Sequence, residues 1–378
     1  MPDTLPHRDA PGPHRDAPGN RRALLRAAGA AALTLPLGAM APRGTRVADL
    51  DALLNDPSAI CRPASAADSG GGHAAPGPRR NLKLSFNANS ICTVGAVVAL
   101  QRGFFERNNL NVELVNFGGS TDQLLEAIAT GKSDAGIGMA LRWLKPLEQG
   151  FDVRISTAIH GGCMRLFSLR GSGIETVADL RGKTLGVTDM GAPDKNFFAI
   201  VAAKLGLDPE RDIAYRVFPG DMLGEALKRG DVQAITLGDP MAWILRERDD
   251  LNEIANNLTG EYAHRACCVL GLRGSLLRED RAAARAVTGA LLETQDWVYA
   301  NPDEAAAIFL TQARGTSAAQ LAAMLRSHTH GDHPHDHGLR DQLAAYIEEL
   351  KLVRVIRPNT NPQRLADRIY ADVLGSPA

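Results

Sequence analysis

The residues of this sequence best suited to chemistry are soft or titratable and stand far apart. Five cysteines occupy positions 61, 92, 163, 267 and 268. They are too few for a disulfide scaffold, and none forms a Cys-x-x-Cys pair, which excludes a zinc ribbon. Cys92, Met139, Cys163 and Met190 offer sulfur to a soft metal or a sulfur-bearing substrate. Packing is the favoured reading, because free Cys and Met serve mostly as small or adaptable hydrophobes. His328-Thr329-His330-Gly331-Asp332-His333-Pro334-His335-Asp336-His337 places five histidines in ten residues. Such a run can chelate Zn, Ni or Cu, although Gly331 and Pro334 favour a solvated loop between helices. Arg142, Trp143 and Lys145 read as an exposed helix face around a buried Trp, with anion recruitment the alternative.

Catalytic motifs fail where they can be tested. Arg181-Gly182-Lys183-Thr184 imitates the end of a P-loop, but Val177 stands where its first glycine is required. No Gly-x-Ser-x-Gly elbow, His-Glu-x-x-His helix or Gly-x-Gly-x-x-Gly turn occurs. Neither a catalytic nor a metal-ligating residue is assigned, and no cofactor is expected.

The elements that must carry a site alternate between strand and helix, the sign of βαβ units and parallel sheets. Strands are expected at Leu82 to Asn87, Val112 to Phe117, Ala135 to Met139 and Val153 to Ile159, with a helix from Val94 to Arg107. Ser120-Thr121-Asp122-Gln123 reads as a capping box opening a helix whose apolar face is Leu124, Leu125 and Ile128. A second series gives strands at Thr184 to Thr188, Ile213 to Phe218 and Val232 to Leu237, with helices opened by Pro193 and by Asp239-Pro240. After the strand-like Cys267 to Leu272 the chain turns helical. Val287, Ala290, Leu291, Thr294 and Val298 keep a helical period that Asn301-Pro302 ends.

Length and composition set the frame. At roughly 150 residues per domain, 378 residues allow two globular domains and leave sequence over. The surplus is N-terminal: 11 of the 21 prolines fall in the first 80 residues, with the repeat PHRDAPG at Pro6 to Gly12 and Pro13 to Gly19. That composition builds no packed core. Asn20-Arg21-Arg22-Ala23-Leu24-Leu25-Arg26, followed by the uncharged run Ala27 to Ala41, resembles a bacterial twin-arginine signal. Asn20 and Leu24 depart from the usual residues, and Pro42 spoils cleavage after Ala41. Ile60 makes the setting of Cys61 a poor lipoprotein box. We therefore expect residues 1–41 as an export signal, 42–80 as a disordered Pro/Gly/Ala-rich linker, and a periplasmic body with no lipid anchor. That body, Asn81 to Ala378, carries 32 Lys and Arg against 36 Asp and Glu, which argues against a nucleic-acid binder relying on counterion release.

Three segments of the body carry a family likeness. Gln101-Arg102-Gly103-Phe104-Phe105-Glu106-Arg107-Asn108-Asn109-Leu110-Asn111-Val112-Glu113-Leu114 is the first; Ile128 to Gly136, with Thr130-Gly131-Lys132-Ser133-Asp134-Ala135, is the second. Val177 to Thr188, with its Asp-Leu-x-Gly-Lys core, is the third. In this order they resemble the substrate-binding proteins of ABC importers for nitrate, sulfonate, taurine and bicarbonate, with thiamine-pyrimidine binders and synthases nearby. The resemblance runs from about Asn81 to Leu374. It implies an α/β type II periplasmic-binding fold of two lobes, lobe one from 81–165 and 270–378 and lobe two from 166–269. The crossovers fall near Cys163 to Leu169 and Ala266 to Gly271, where a disulfide from Cys163 to Cys267 or Cys268 is one reading in an oxidising compartment.

Ligands in open α/β sheets sit beyond the carboxyl ends of strands, where helix N-termini offer N–H groups to an anion. Strand ends therefore nominate Asn87, Asn89, Ser90, Cys92, Gly119, Ser120, Thr121, Met139, Ala140, His160 and Gly161 in lobe one. In lobe two they nominate Thr188, Met190, Gly191, Ala192 and Asp239. Asp239 tilts the reading toward a ligand with an amine or hydroxyl donor. The expected function is capture of a small anionic or zwitterionic solute by a monomer that hands it to an inner-membrane permease and its ATPase. A thiamine-pyrimidine binder or synthase is the first alternative, although none of the eight lysines directly follows an expected lobe-one strand to hold pyridoxal. A metal-scavenging receptor using the His-rich run is the second.

Overall fold

The computed structural model describes residues 78–117, 121–313, 315–328 and 337–375. The PHRDAPG repeat, the twin-arginine segment, Cys61 and the linker as far as residue 77 lie outside them, as do Gly118, Gly119 and Ser120.

Lobe one begins with β1 (Arg80–Phe86), whose inward residues Leu82, Leu84 and Phe86 are buried. A short 3-10 turn, Ile91–Thr93, leads into α1 (Val94–Gln101) and α2 (Phe104–Arg107). The single helix expected there is two, because Gly103 between them has φ 72°, a left-handed conformation that glycine adopts at little cost. β2 (Leu110–Asn116), α3 (Thr121–Ala129), β3 (Ala135–Met139), α4 (Ala140–Glu148) and β4 (Val153–His160) follow. Lobe two holds β5 (Met164–Leu169), β6 (Lys183–Val187), α5 (Pro193–Lys204), β7 (Ile213–Val217), α6 (Leu223–Lys228), β8 (Ala234–Gly238), α7 (Met241–Arg248) and β9 (Leu251–Asn256). The chain returns through β10 (Cys268–Arg273) to α8 (Gly274–Glu279), α9 (Arg281–Ala300), α10 (Pro302–Phe309), α11 (Ala318–Ser327), α12 (His337–Leu352) and α13 (Pro362–Ile369). Pro193 opens α5 and Pro302 opens α10, and the five periodic residues of α9 are all buried.

Among the described residues the strands form two sheets, ordered β2-β1-β3-β10-β4 and β7-β6-β8-β5-β9. In each, the fourth strand runs antiparallel to both neighbours and has arrived from the other lobe. This arrangement joins the lobes twice: the chain crosses at Gly161–Cys163 and returns after β9, between Asn256 and Cys268. Met164–Leu169, expected as part of a crossover, is already a strand of the second sheet. The crossing segments bond to each other, Asn257 Oδ1 accepting from the Met164 amide at 2.7 Å and the His160 carbonyl from the Cys267 amide at 3.0 Å.

One apolar core runs through both lobes, from Leu84 and Ile137 to Leu166, Phe197 and Ala234. A smaller cluster, including Phe167, Leu223, Ile235 and Leu245, covers the outer face of the second sheet. Trp143 is fully buried. Its ring lies over Gly138, where an added Cβ would come within 2.1 Å of the indole, so β3 carries no side chain at that position.

Candidate functional site between the lobes

Two groups of residues meet where the lobes face each other. The outer group surrounds a cavity of about 360 Å³. On one side are Asp122, Leu125 and Glu126 of α3 and Leu141, Arg142, Lys145 and Pro146 of α4. Met190, Gly191 and Asn196, at the start of α5, form the other side. Arg142 dominates it. Its guanidinium grips Asp122 through Nε at 2.7 Å and through Nη2, and donates from Nη1 across the gap to Asp189 Oδ1 at 2.7 Å. The approach depends on Gly191, because a Cβ there would lie 2.0 Å from Nη1. Arg142 is thus no exposed helix residue; its side chain is 16% exposed. Lys145 bonds to the buried Glu148 at 2.9 Å. Asn196 is 3% exposed, and its Oδ1 has no hydrogen-bond partner.

The inner group lies at the crossovers. Asp239, beyond β8, accepts from Arg165 on both oxygens at 3.1 to 3.2 Å and from the Trp243 amide at 3.0 Å. Oδ2 also meets His328 Nε2 at 2.8 Å. Arg165 reaches Glu253 as well, at 3.0 and 3.1 Å. Burial would raise the Asp239 carboxyl, but the His328 hydrogen bond and the Arg165 charge offset it and hold it below the ordinary range. With its oxygens so engaged, Asp239 does not support the expected preference for an amine or hydroxyl donor. The His328 ring packs edge-on against His160, centroids 4.9 Å apart. His328 follows α11 with its side chain fully buried, so the solvated-loop expectation fails at this first histidine. Residues 329 to 336 lie outside the described residues.

Beside this network the thiols of Cys92, Cys163, Cys267 and Cys268 come together, all buried and all free. Cys163 and Cys267 Sγ are 3.9 Å apart, and Cys92 Sγ lies 2.9 Å from Ser90 Oγ. Their proximity splits the thiols. Cys163 and Cys268 beside them lower Cys92 and Cys267, while Cys267 and burial push Cys163 up, and Cys163 pushes Cys268 up. The disulfide reading is not what the structure holds: it brings Cys163 to Cys267 as thiols.

The strand-end nominees divide accordingly. Ser90, Cys92, His160 and Asp239 belong to the inner group, and Ala140 and Ala192 are buried at the starts of α4 and α5. Met139 approaches lobe two, its Cε 3.7 Å from the point where a Cβ on Gly238 would stand. The Gly161 carbonyl accepts from His160 Nδ1 at 2.9 Å, which fixes a proton on that nitrogen. Met190 and Gly191 line the outer cavity. Asn87 turns to its own loop, its Oδ1 accepting from the Asn89 backbone amide at 2.9 Å, and Asn89 and Thr188 are exposed. Gly119 and Ser120 lie outside the described residues, and Thr121 is placed only as the first residue of α3. Sequence reasoning missed Asp122, Arg165, Asp189 and Asn196. Arg165 alone carried a signal, as a charged residue inside an apolar strand.

Residues 91–305 match the family described as NMT1/THI5 like. The chain belongs to that family. Among solved structures, the family member described here superposes on the alkanesulfonate-binding protein SsuA from Xanthomonas axonopodis pv. citri bound to MOPS with a TM-score of 0.65 at 19% identity, covering 76% of this chain and 98% of that one. The periplasmic nitrate-binding protein NrtA from Synechocystis PCC 6803 gives 0.63 at 13% identity, with 77% and 86% covered. Both place the fold among periplasmic binding proteins. Curated relatives match over shorter stretches. A Haemophilus influenzae protein named for thiamine biosynthesis is 31% identical over 101 residues, 26% of this chain. The tetrathionate sensor histidine kinase TtrS of Salmonella typhimurium is 38% identical over 97 residues, 25% of this chain. The matches span 31% and 16% of those relatives' lengths. No helix among the described residues is long and apolar enough to cross a membrane.

Proposed function

We propose that this protein is the extracytoplasmic receptor of an ABC importer, capturing one small anionic or zwitterionic solute between its lobes and delivering it to a permease. The observation that carries the reading is the Arg142–Asp189 pair, which joins the lobes beside a cavity of solute size. Pockets for small molecules combine apolar walls with a few placed polar groups. This one has Leu125, Leu141 and Pro146 for walls and Arg142, Lys145, Asp122 and Asn196 for polar contacts. Arg142 and Lys145 suit a sulfonate, nitrate or carboxylate group that replaces their carboxylate partners, and the unpartnered Asn196 Oδ1 suits an amine. Closure then follows from contacts made only when the lobes meet. The sulfonate and nitrate binders that share the fold support this class, and the tetrathionate sensor adds sulfur oxyanions to it. Export by the twin-arginine route, a periplasmic location and action as a monomer belong to the same proposal.

The test is a thermal-shift screen of sulfonates, taurine, nitrate, bicarbonate, sulfur oxyanions and pyrimidines. A ligand at 100 times its dissociation constant stabilises by about 2.7 kcal/mol. At about 2 to 4 °C per kcal/mol for domains of this size, one class should raise the melting temperature by several degrees, and Arg142→Ala should abolish that rise. No shift from any member, or a shift indifferent to Arg142→Ala, rejects the assignment.

A further inference from the structure

The thiol cluster takes no part in the proposed capture of a solute. Its four members come from three separate stretches of chain: Cys92 in the turn after β1, Cys163 in the first crossover, Cys267 and Cys268 where the chain re-enters β10. A free Cys packs as a small hydrophobe, and its reactivity, metal binding included, is what distinguishes it. Here two of the sulfurs turn to each other, with Cys163 and Cys267 Sγ 3.9 Å apart. All four are at most 4% exposed, so the cluster concentrates soft donors where water does not compete. His160 and His328 stand at its edge.

We propose that this cluster is a binding site for one soft monovalent metal ion, Cu(I), held between Cys163 and Cys267. Ligand number selects the ion. A structural Zn(II) needs four ligands in a tetrahedron, and among the described residues no group of three His, Cys, Asp or Glu side chains is placed to hold an ion. Cu(I) is selected by thiolates and can be held by two, so the Cys163–Cys267 pair, with its sulfurs 3.9 Å apart, is the site. Each thiol that ligates releases its proton to solvent, and no electron is transferred. Because Cys163 and Cys267 lie on the two crossovers, the ion joins both strands of the hinge.

The experiment uses the full chain, fully reduced and free of oxygen, titrated with Cu(I) against a chromogenic Cu(I) chelator with no solute present. We expect one equivalent withdrawn from the chelator and a thiolate-to-copper charge-transfer band in the ultraviolet. Loss of outer-shell partners alone weakens metal sites by about 10- to 100-fold, so Cys163→Ser and Cys267→Ser should each weaken retention at least about tenfold. A variant with His330, His333, His335 and His337 changed to Ser should retain the ion. Wild-type chain that leaves all Cu(I) on the chelator overturns the proposal, whatever the variants do. So does retention that survives both Cys changes, or that disappears with the four histidines. The solute screen reads a different cavity, so either proposal can fail alone.

Discussion

The outer and inner halves of the interlobe contact are both built on an arginine between two carboxylates, yet they are made for opposite purposes. Arg142 joins Asp122 and Asp189, whose side chains are 40% and 52% exposed. Arg165 joins Asp239 and Glu253, whose side chains are 0% and 18% exposed. Ion pairs in water are worth about 0 to 1 kcal/mol, because each partner is well solvated when they part. A buried pair gains little over an apolar replacement, but parting it strands a charge without water at a cost of about 3 to 5 kcal/mol. In the proposed capture of a solute, the outer pair is the contact that breaks and reforms, while the inner network stays joined. The two contacts differ in solvent, not in chemistry.

The largest effect should come from breaking the inner network. Asp239→Ala removes the acceptor shared by Arg165, His328 and the Trp243 amide, and should cost about 3 to 5 kcal/mol in urea unfolding. The pH dependence must move with it. Asp239 is held below its ordinary range by His328 and Arg165, which together offset burial. Its contribution is present above the unfolded value of about 3.9 and is lost as pH falls through the lower folded value. Wild type should therefore lose more stability than the variant on acidification below about pH 4. A variant within 1 kcal/mol of wild type would erase the distinction between inner and outer contacts.

A second aspartate sharpens the same contrast. Asp194, in the first turn of α5, is buried without an arginine, and burial pushes its carboxyl up to about 6. One of its oxygens, Oδ2, has no hydrogen-bond partner. Here the folded chain holds the proton more tightly than the unfolded one, so stability is greatest below the unfolded value of about 3.9 and declines as pH rises to about 6. Asp194→Asn should remove that decline and stabilise the protein at pH 7 by up to about 3 kcal/mol, with little change at pH 4. The measurement is the melting temperature across that range; parallel curves for the two proteins would refute the assignment.

Much of the fold was legible from the chain, because periodicity records which face of an element is buried. Ala135 to Met139 was located to the residue, and Val287 to Val298 pointed its apolar face inward as expected. What the sequence hid depends on contacts between distant residues. Arg142 reads as a surface residue by its helical position, and only the approach of Asp189 and Gly191 from the other lobe covers it. His328 sits in a run whose composition reads as solvated, yet it ends α11 and meets Asp239, 89 residues earlier in the chain. The four thiols have spacings that match no metal motif, since three chain segments bring them together. Local signals cannot encode such meetings.

The smallest effect belongs to the outer pair and is the most direct test of its reversibility. Asp189→Asn removes the lobe-two partner of Arg142 while leaving the Asp122 grip in place. With Asp189 half exposed, the loss should stay below about 1 kcal/mol. It should also shrink as ionic strength rises toward 1 M, where screening reaches down to about 3 Å. Gly191→Ala should act alike, because its new Cβ would displace only the far end of the Arg142 side chain. The two changes therefore report on the same contact by different means, one removing charge and the other removing room. Both should leave the urea midpoint nearly unchanged while increasing the radius of gyration of the solute-free protein in small-angle scattering, as the lobes spend more time apart. A loss above about 2 kcal/mol, or one indifferent to salt, would mean that the outer pair is structural like the inner one, and that opening must proceed elsewhere.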